Sequence, residues 1–88
     1  MSKKVIKFYA TWCGPCNAYA PTFEKVQLEL SSDEIEFVNV NVEDDVDGLA
    51  GEYGVRSIPF TVLLQDGVKI GEQVGSLREE VLRNFILN

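Results

Sequence analysis

The chain has 88 residues, a net charge of −6, 45% hydrophobic and 25% charged residues. That length makes one domain, residues 1–88, whose folding buries roughly 60–65% of the unfolded surface, and the balance of apolar and charged residues excludes disorder. No apolar run approaches the ~20 residues that span a bilayer, and the eight basic residues are scattered, so neither a membrane nor a nucleic acid is expected as a partner.

The N-terminal run Met1-Ser2-Lys3-Lys4 has no long apolar stretch and no small-residue cleavage site. No secretory signal is read there, and a cytoplasmic location is expected. Val5 to Ala10 is rich in β-branched and aromatic residues and predicts a strand. Helical spacing follows from about Cys13 to Leu30, with Ala18, Phe23, Val26 and Leu30 as its apolar positions. Pro21 falls inside that pattern, removes the bond to the Asn17 carbonyl and predicts a kink. Ser31-Ser32-Asp33 ends the helix, and Ile35 to Val42 alternates as a second strand.

Asp44 and Asp45 are expected to cap a short helix through Val46, Leu49, Ala50 and Tyr53, stopped by Gly54. Phe60 to Leu64 is a third strand, and Asp66-Gly67 signals a tight hairpin into a fourth, Val68 to Val74. Ser76-Leu77-Arg78-Glu79 has the form of a capping box for a last helix with an apolar stripe of Leu77, Val81, Leu82, Phe85 and Ile86. The order β-α-β-α-β-β-α predicts an α/β fold: a four-stranded mixed sheet with helices on both faces.

The chain has two cysteines and no histidine. This excludes histidine-dependent triads and leaves too few ligands for a zinc site within one chain. Cys13 and Cys16 are separated only by Gly14 and Pro15, a spacing that reads as redox-active. A helix N-terminus at Cys13 favours the thiolate, the nucleophile of disulfide exchange. Gly14 permits close approach of another backbone, and Pro15 fits a first helical turn, where its missing N–H costs nothing. Cys13 is then the attacking thiol and Cys16, one turn on, the resolving thiol. The acidic run Glu43-Asp44-Asp45-Val46-Asp47 lacks the ligand spacing of a calcium loop and reads as a cap and a solvated loop.

Taken together, a strand, then Trp12-Cys13-Gly14-Pro15-Cys16, a helix containing Pro21, and Ile58-Pro59 before a hairpin resemble the thioredoxin family from Val5 to Leu87. Gly67 and Gly75 match the family's turn glycines. The resemblance implies a minimal thioredoxin fold that starts at the family's central strand. It implies a cis peptide before Pro59, placed beside the cysteines to present backbone groups to substrate. It puts Trp12 in an apolar docking rim and Val42, Ser57, Ile58, Val74 and Gly75 around the site. It implies a monomer with no cofactor beyond the Cys13–Cys16 disulfide and no metal. The implied partners are disulfide-containing proteins, ribonucleotide reductase among the candidates, and a thioredoxin reductase as electron donor.

Departures from the family pattern are also visible. The position of the family's buried aspartate is Lys7, and the lysine usual on the next strand falls near Asn39. Phe60 stands where threonine is common, Tyr9 where tryptophan is common, and Ser57 where glycine is common. Lys7 has two readings: it snorkels to the surface, or it lies under Cys16 and supports the active site by favouring the thiolate or acting as a base. Three functions stand at this point: a thioredoxin-type reductant of protein disulfides, a glutaredoxin-like user of glutathione, and a redox-silent binding subunit.

Overall fold

The computed structural model describes residues 2–88. In chain order the elements are β1 (Lys3–Tyr9), α1 (Gly14–Leu30), β2 (Ile35–Asn41), a 3-10 turn (Val42–Asp44), α2 (Leu49–Glu52), β3 (Phe60–Gln65), β4 (Val68–Val74) and α3 (Glu79–Leu87). The sheet order is β2-β1-β3-β4. β1 pairs in parallel with β2 and antiparallel with β3, and β3 pairs antiparallel with β4.

The two central strands are buried on both faces, so their apolar residues run without alternation. Val5 and Leu63 point to one face and pack with Tyr19, Phe23 and Val26 of α1 and Leu82 and Ile86 of α3. Ile6, Phe8, Val62 and Leu64 point to the other face, where Leu49, Ala50 and Tyr53 cover them. Helices therefore lie on both faces, as the element order requires. Arg83 ties α3 to α1 by donating to both carboxylate oxygens of Glu29, at 3.0 and 3.1 Å.

The hairpin forms as expected, with Asp66 (φ 52°) and Gly67 (φ 85°) both in the left-handed region that a two-residue turn requires. Several boundaries and faces differ from the sequence reading. β1 begins at Lys3, and Val42 leaves the strand to start the 3-10 turn. Pro21 lies within α1, as expected. Ala18 is exposed; the core position is taken by Tyr19, because the helix turns Cys16, Tyr19, Phe23 and Val26 inward. Val46 precedes α2 and is exposed. Asp45 does cap α2: its carboxylate accepts from the N–H groups of Leu49 and Ala50, at 2.9 and 2.8 Å, whereas Asp44 closes the 3-10 turn.

The capping box does not form. Arg78 is the N-cap of α3 and makes no side-chain cap bond, so Ser76 lies two residues too early. Leu77 packs against the core ahead of the helix, which keeps the chain extended past Ser76. Val81 faces outward, and the stripe that reaches the core is Leu82, Phe85 and Ile86.

Candidate active site

Residues 10–13 turn the chain from the end of β1 into α1, and the Cys13 N–H bonds to the Ala10 carbonyl at 3.2 Å. Cys13 is the N-cap of α1, with an extended backbone (φ −87°, ψ 112°), and its Sγ accepts the N–H of Cys16 at 3.2 Å. A sulfur stands here where a hydroxyl or carboxylate usually caps a helix. Gly14 and Pro15 fill the first turn, where proline loses no helical bond. A Cβ on Gly14 would meet nothing within 4 Å, so the space above this turn is open to another molecule.

Cys13 and Cys16 are joined in a disulfide with their Cα atoms 5.2 Å apart. Both are largely buried in this bridged state, 6% and 2% exposed. They cluster with Ala10, and Tyr9, Val42 and Ile58 pack around them. The Ile58 carbonyl lies 4.0 Å from Cys13 Sγ. The Ile58-Pro59 peptide is cis, and the Pro59 carbonyl accepts the N–H of Gly75 at 2.8 Å. Gly75, at φ 90°, makes that turn after β4 with a backbone that side chains disfavour.

Trp12 and Val74 are 68% and 63% exposed, a high value for large apolar groups beside a reactive centre. Val74 pairs with Phe60, the residue after Pro59, across β3 and β4. Ser57 is exposed and lines a groove with Arg56, Phe60 and Val74. Of the residues singled out from sequence, Cys13, Cys16, Val42 and Ile58 share one cluster, Pro59 and Gly75 adjoin it by chain and hydrogen bond, and Ser57 meets Val74 in the groove.

Lys7 is buried at 6% exposure on the central strand. Register pairs it with Asn39 on β2 and Thr61 on β3, a polar row across the α1 face of the sheet. Its ammonium lies 4.9 Å from the centre of the Phe23 ring, 5.4 Å from Tyr9 and 5.9 Å from Tyr19. It opens into a cleft that has neither cysteine in its lining. Burial lowers its proton affinity below the ordinary lysine value, and the Glu24 carboxylate works against that. Sequence reasoning missed Glu24 and the buried bond between Tyr19 Oη and Thr61 Oγ1, 2.9 Å, because both depend on the rotation of α1 over the sheet.

The thioredoxin family model matches residues 1–88. The chain is 37% identical over 82 residues to thioredoxin from Haemophilus influenzae, covering 93% of this chain and 75% of that protein. It is 43% identical over 72 residues to thioredoxin-1 of Schizosaccharomyces pombe, covering 82% and 67%.

The chain belongs to the thioredoxin family.

Solved thioredoxins have the same architecture: that of Malassezia sympodialis superposes with a TM-score of 0.85 at 36% identity, covering 98% of this chain and 73% of that one. The oxidised mitochondrial thioredoxin 3 of Saccharomyces cerevisiae also gives 0.85 at 36% identity, with 98% and 77% covered. The chain is therefore a protein-disulfide oxidoreductase, working through a reversible Cys13–Cys16 dithiol and disulfide. Neither the glutaredoxin-like nor the redox-silent reading is favoured by these relatives. Disulfide-containing proteins and a thioredoxin reductase are its general partners as a member of the family. Among the described residues no helix is long and apolar enough to cross a membrane, and no group of three or more acidic, cysteine or histidine side chains is placed to hold a metal ion.

Proposed function

We propose that Cys13 is the attacking thiol and Cys16 the resolving thiol. The observation that carries this assignment is the position of Cys13 at the N-cap of α1, where its Sγ receives a backbone N–H. In the reduced protein that donor and the helix dipole favour a thiolate at Cys13 over one at Cys16. The thiolate attacks one sulfur of a substrate disulfide, forms a mixed disulfide and expels the other sulfur as a thiolate. Cys16, deprotonated, then attacks Cys13 Sγ and releases the second substrate thiolate, leaving the Cys13–Cys16 bridge. The substrate gains two electrons and, from water, two protons. A reductase returns the electrons, and no further cofactor or metal takes part.

The docking surface in this proposal consists of Trp12, Val42, Ser57, Ile58, Pro59, Val74 and Gly75. Trp12 and Val74 supply exposed apolar area, and the open space at Gly14 admits the substrate backbone. Lys7 supports the site as a positive charge on the strand that leads into it, acting across space and not by contact. The proposed setting is a monomer in the cytoplasm, with ribonucleotide reductase as a candidate substrate.

Alkylating the reduced protein with a sub-stoichiometric reagent near neutral pH, then mapping the adduct, tests the assignment. Label is expected mainly on Cys13; preferential labelling of Cys16 would reverse the two roles.

A further inference from the structure

We propose that Lys7 is a covalent modification site, at which a small aldehyde entering the cleft between α1 and β2 forms an imine with the ε-amine. The cleft has a volume of about 330 Å³, and its walls include Phe23 and Leu28 with the polar groups of Glu24, Gln27 and Asn39. A water occupies ~30 Å³ of liquid, so the cleft holds several waters or a short aldehyde in their place. Lys7 is its buried charged member, whereas Glu24, Leu28 and Asn39 are exposed at its edge.

The state of the amine separates Lys7 from the other lysines. Lys3 donates to the Ile86 carbonyl at 2.6 Å. Lys4 pairs with Glu36 at 3.8 Å, and Lys25 with Glu79 at 3.1 Å. Lys69 pairs with Glu72 and donates to the Tyr53 carbonyl at 3.3 Å. Among the described residues, Lys7 is the lysine with neither a carboxylate within ion-pair distance nor a hydrogen-bond acceptor; ring faces surround it instead. No ion pair or hydrogen bond therefore holds the Lys7 ammonium in its charged form. Burial further disfavours its charged form.

The reaction balances without an oxidant or a reductant. The ammonium releases a proton to water in the cleft, and the amine lone pair attacks the carbonyl carbon to form a C–N bond. The resulting carbinolamine loses water, and a C=N bond remains. Hydrolysis reverses the sequence.

The oxidised protein is treated at neutral pH with sub-stoichiometric acetaldehyde and cyanoborohydride, which fixes the imine as an ethylamine, and the five lysines are compared by peptide mapping. The ethyl adduct is expected on Lys7 at no less than three times the level of any other lysine. In Leu28→Trp, where a larger side chain at an exposed position narrows the cleft, the Lys7 adduct is expected to fall at least threefold while the other four hold. A smaller preference for Lys7, or Lys7 labelling unchanged in Leu28→Trp, would overturn the proposal.

Discussion

Lys7 and Tyr19 meet between α1 and the sheet, and each gives the molecule a pH dependence of opposite sign. For Lys7 the folded protein holds the proton less tightly than the unfolded chain, whose value is near the ordinary 10.5. Between the lowered value and 10.5 the unfolded chain binds more protons, so stability rises with pH across that window. Below the window the cost of a buried ammonium is fully present. Lys7→Met is expected to raise stability at neutral pH by about 1 kcal/mol in urea unfolding, and to remove the alkaline rise. In the same variant the thiol pKa is expected to move up, since the positive charge on the strand that leads into the site is gone; ultraviolet titration of the thiolate reads this. For Tyr19, burial is the main cause that pushes the phenol up to about 12. Its contribution is therefore complete below pH 10 and is lost as pH rises through 12. Tyr19→Phe is expected to abolish that high-pH loss. At neutral pH it costs about 1 kcal/mol, because Thr61 loses its buried partner.

Among the elements, β4 and α3 touch at a point where no side chain fits. A Cβ on Gly71 would lie 2.9 Å from Cε1 of Phe85. Gly71→Ala is expected to cost about 1–3 kcal/mol, measured by urea unfolding, because the ring or the edge strand must shift. Phe85→Leu in the same background removes the ring and should recover part of that loss. This contact was not legible in the sequence, where Gly71 reads as one more residue of the fourth strand. Legibility followed how local the cause was. The Asp66-Gly67 hairpin and the Cys13-Gly14-Pro15-Cys16 turn are set by residues within one turn of chain, and both form as read. The Ser76 capping box is equally local in form, but packing of Leu77 against the core and the bond from Gly75 to Pro59 hold that segment extended. The outward turn of Ala18 and Val81 reflects helix rotation that only the packed sheet fixes.

At the scale of the whole molecule, the cysteine pair sits where β1, the first turn of α1 and the Ile58-Pro59 loop converge, so three distant segments build one site. The motif was readable because its chemistry lies in adjacent residues. The surroundings of Lys7 were not, since Glu24, Phe23 and Asn39 come from two other elements. In the proposed exchange Cys13 attacks the substrate disulfide and Cys16 completes the reaction. The Cys16→Ser protein, reduced and mixed with a disulfide-bonded substrate protein, tests this most directly by non-reducing electrophoresis and peptide mapping. A stable one-to-one adduct joined through Cys13 is predicted, with no such adduct in Cys13→Ser. Accumulation in Cys13→Ser through Cys16, or no adduct in Cys16→Ser, would contradict it.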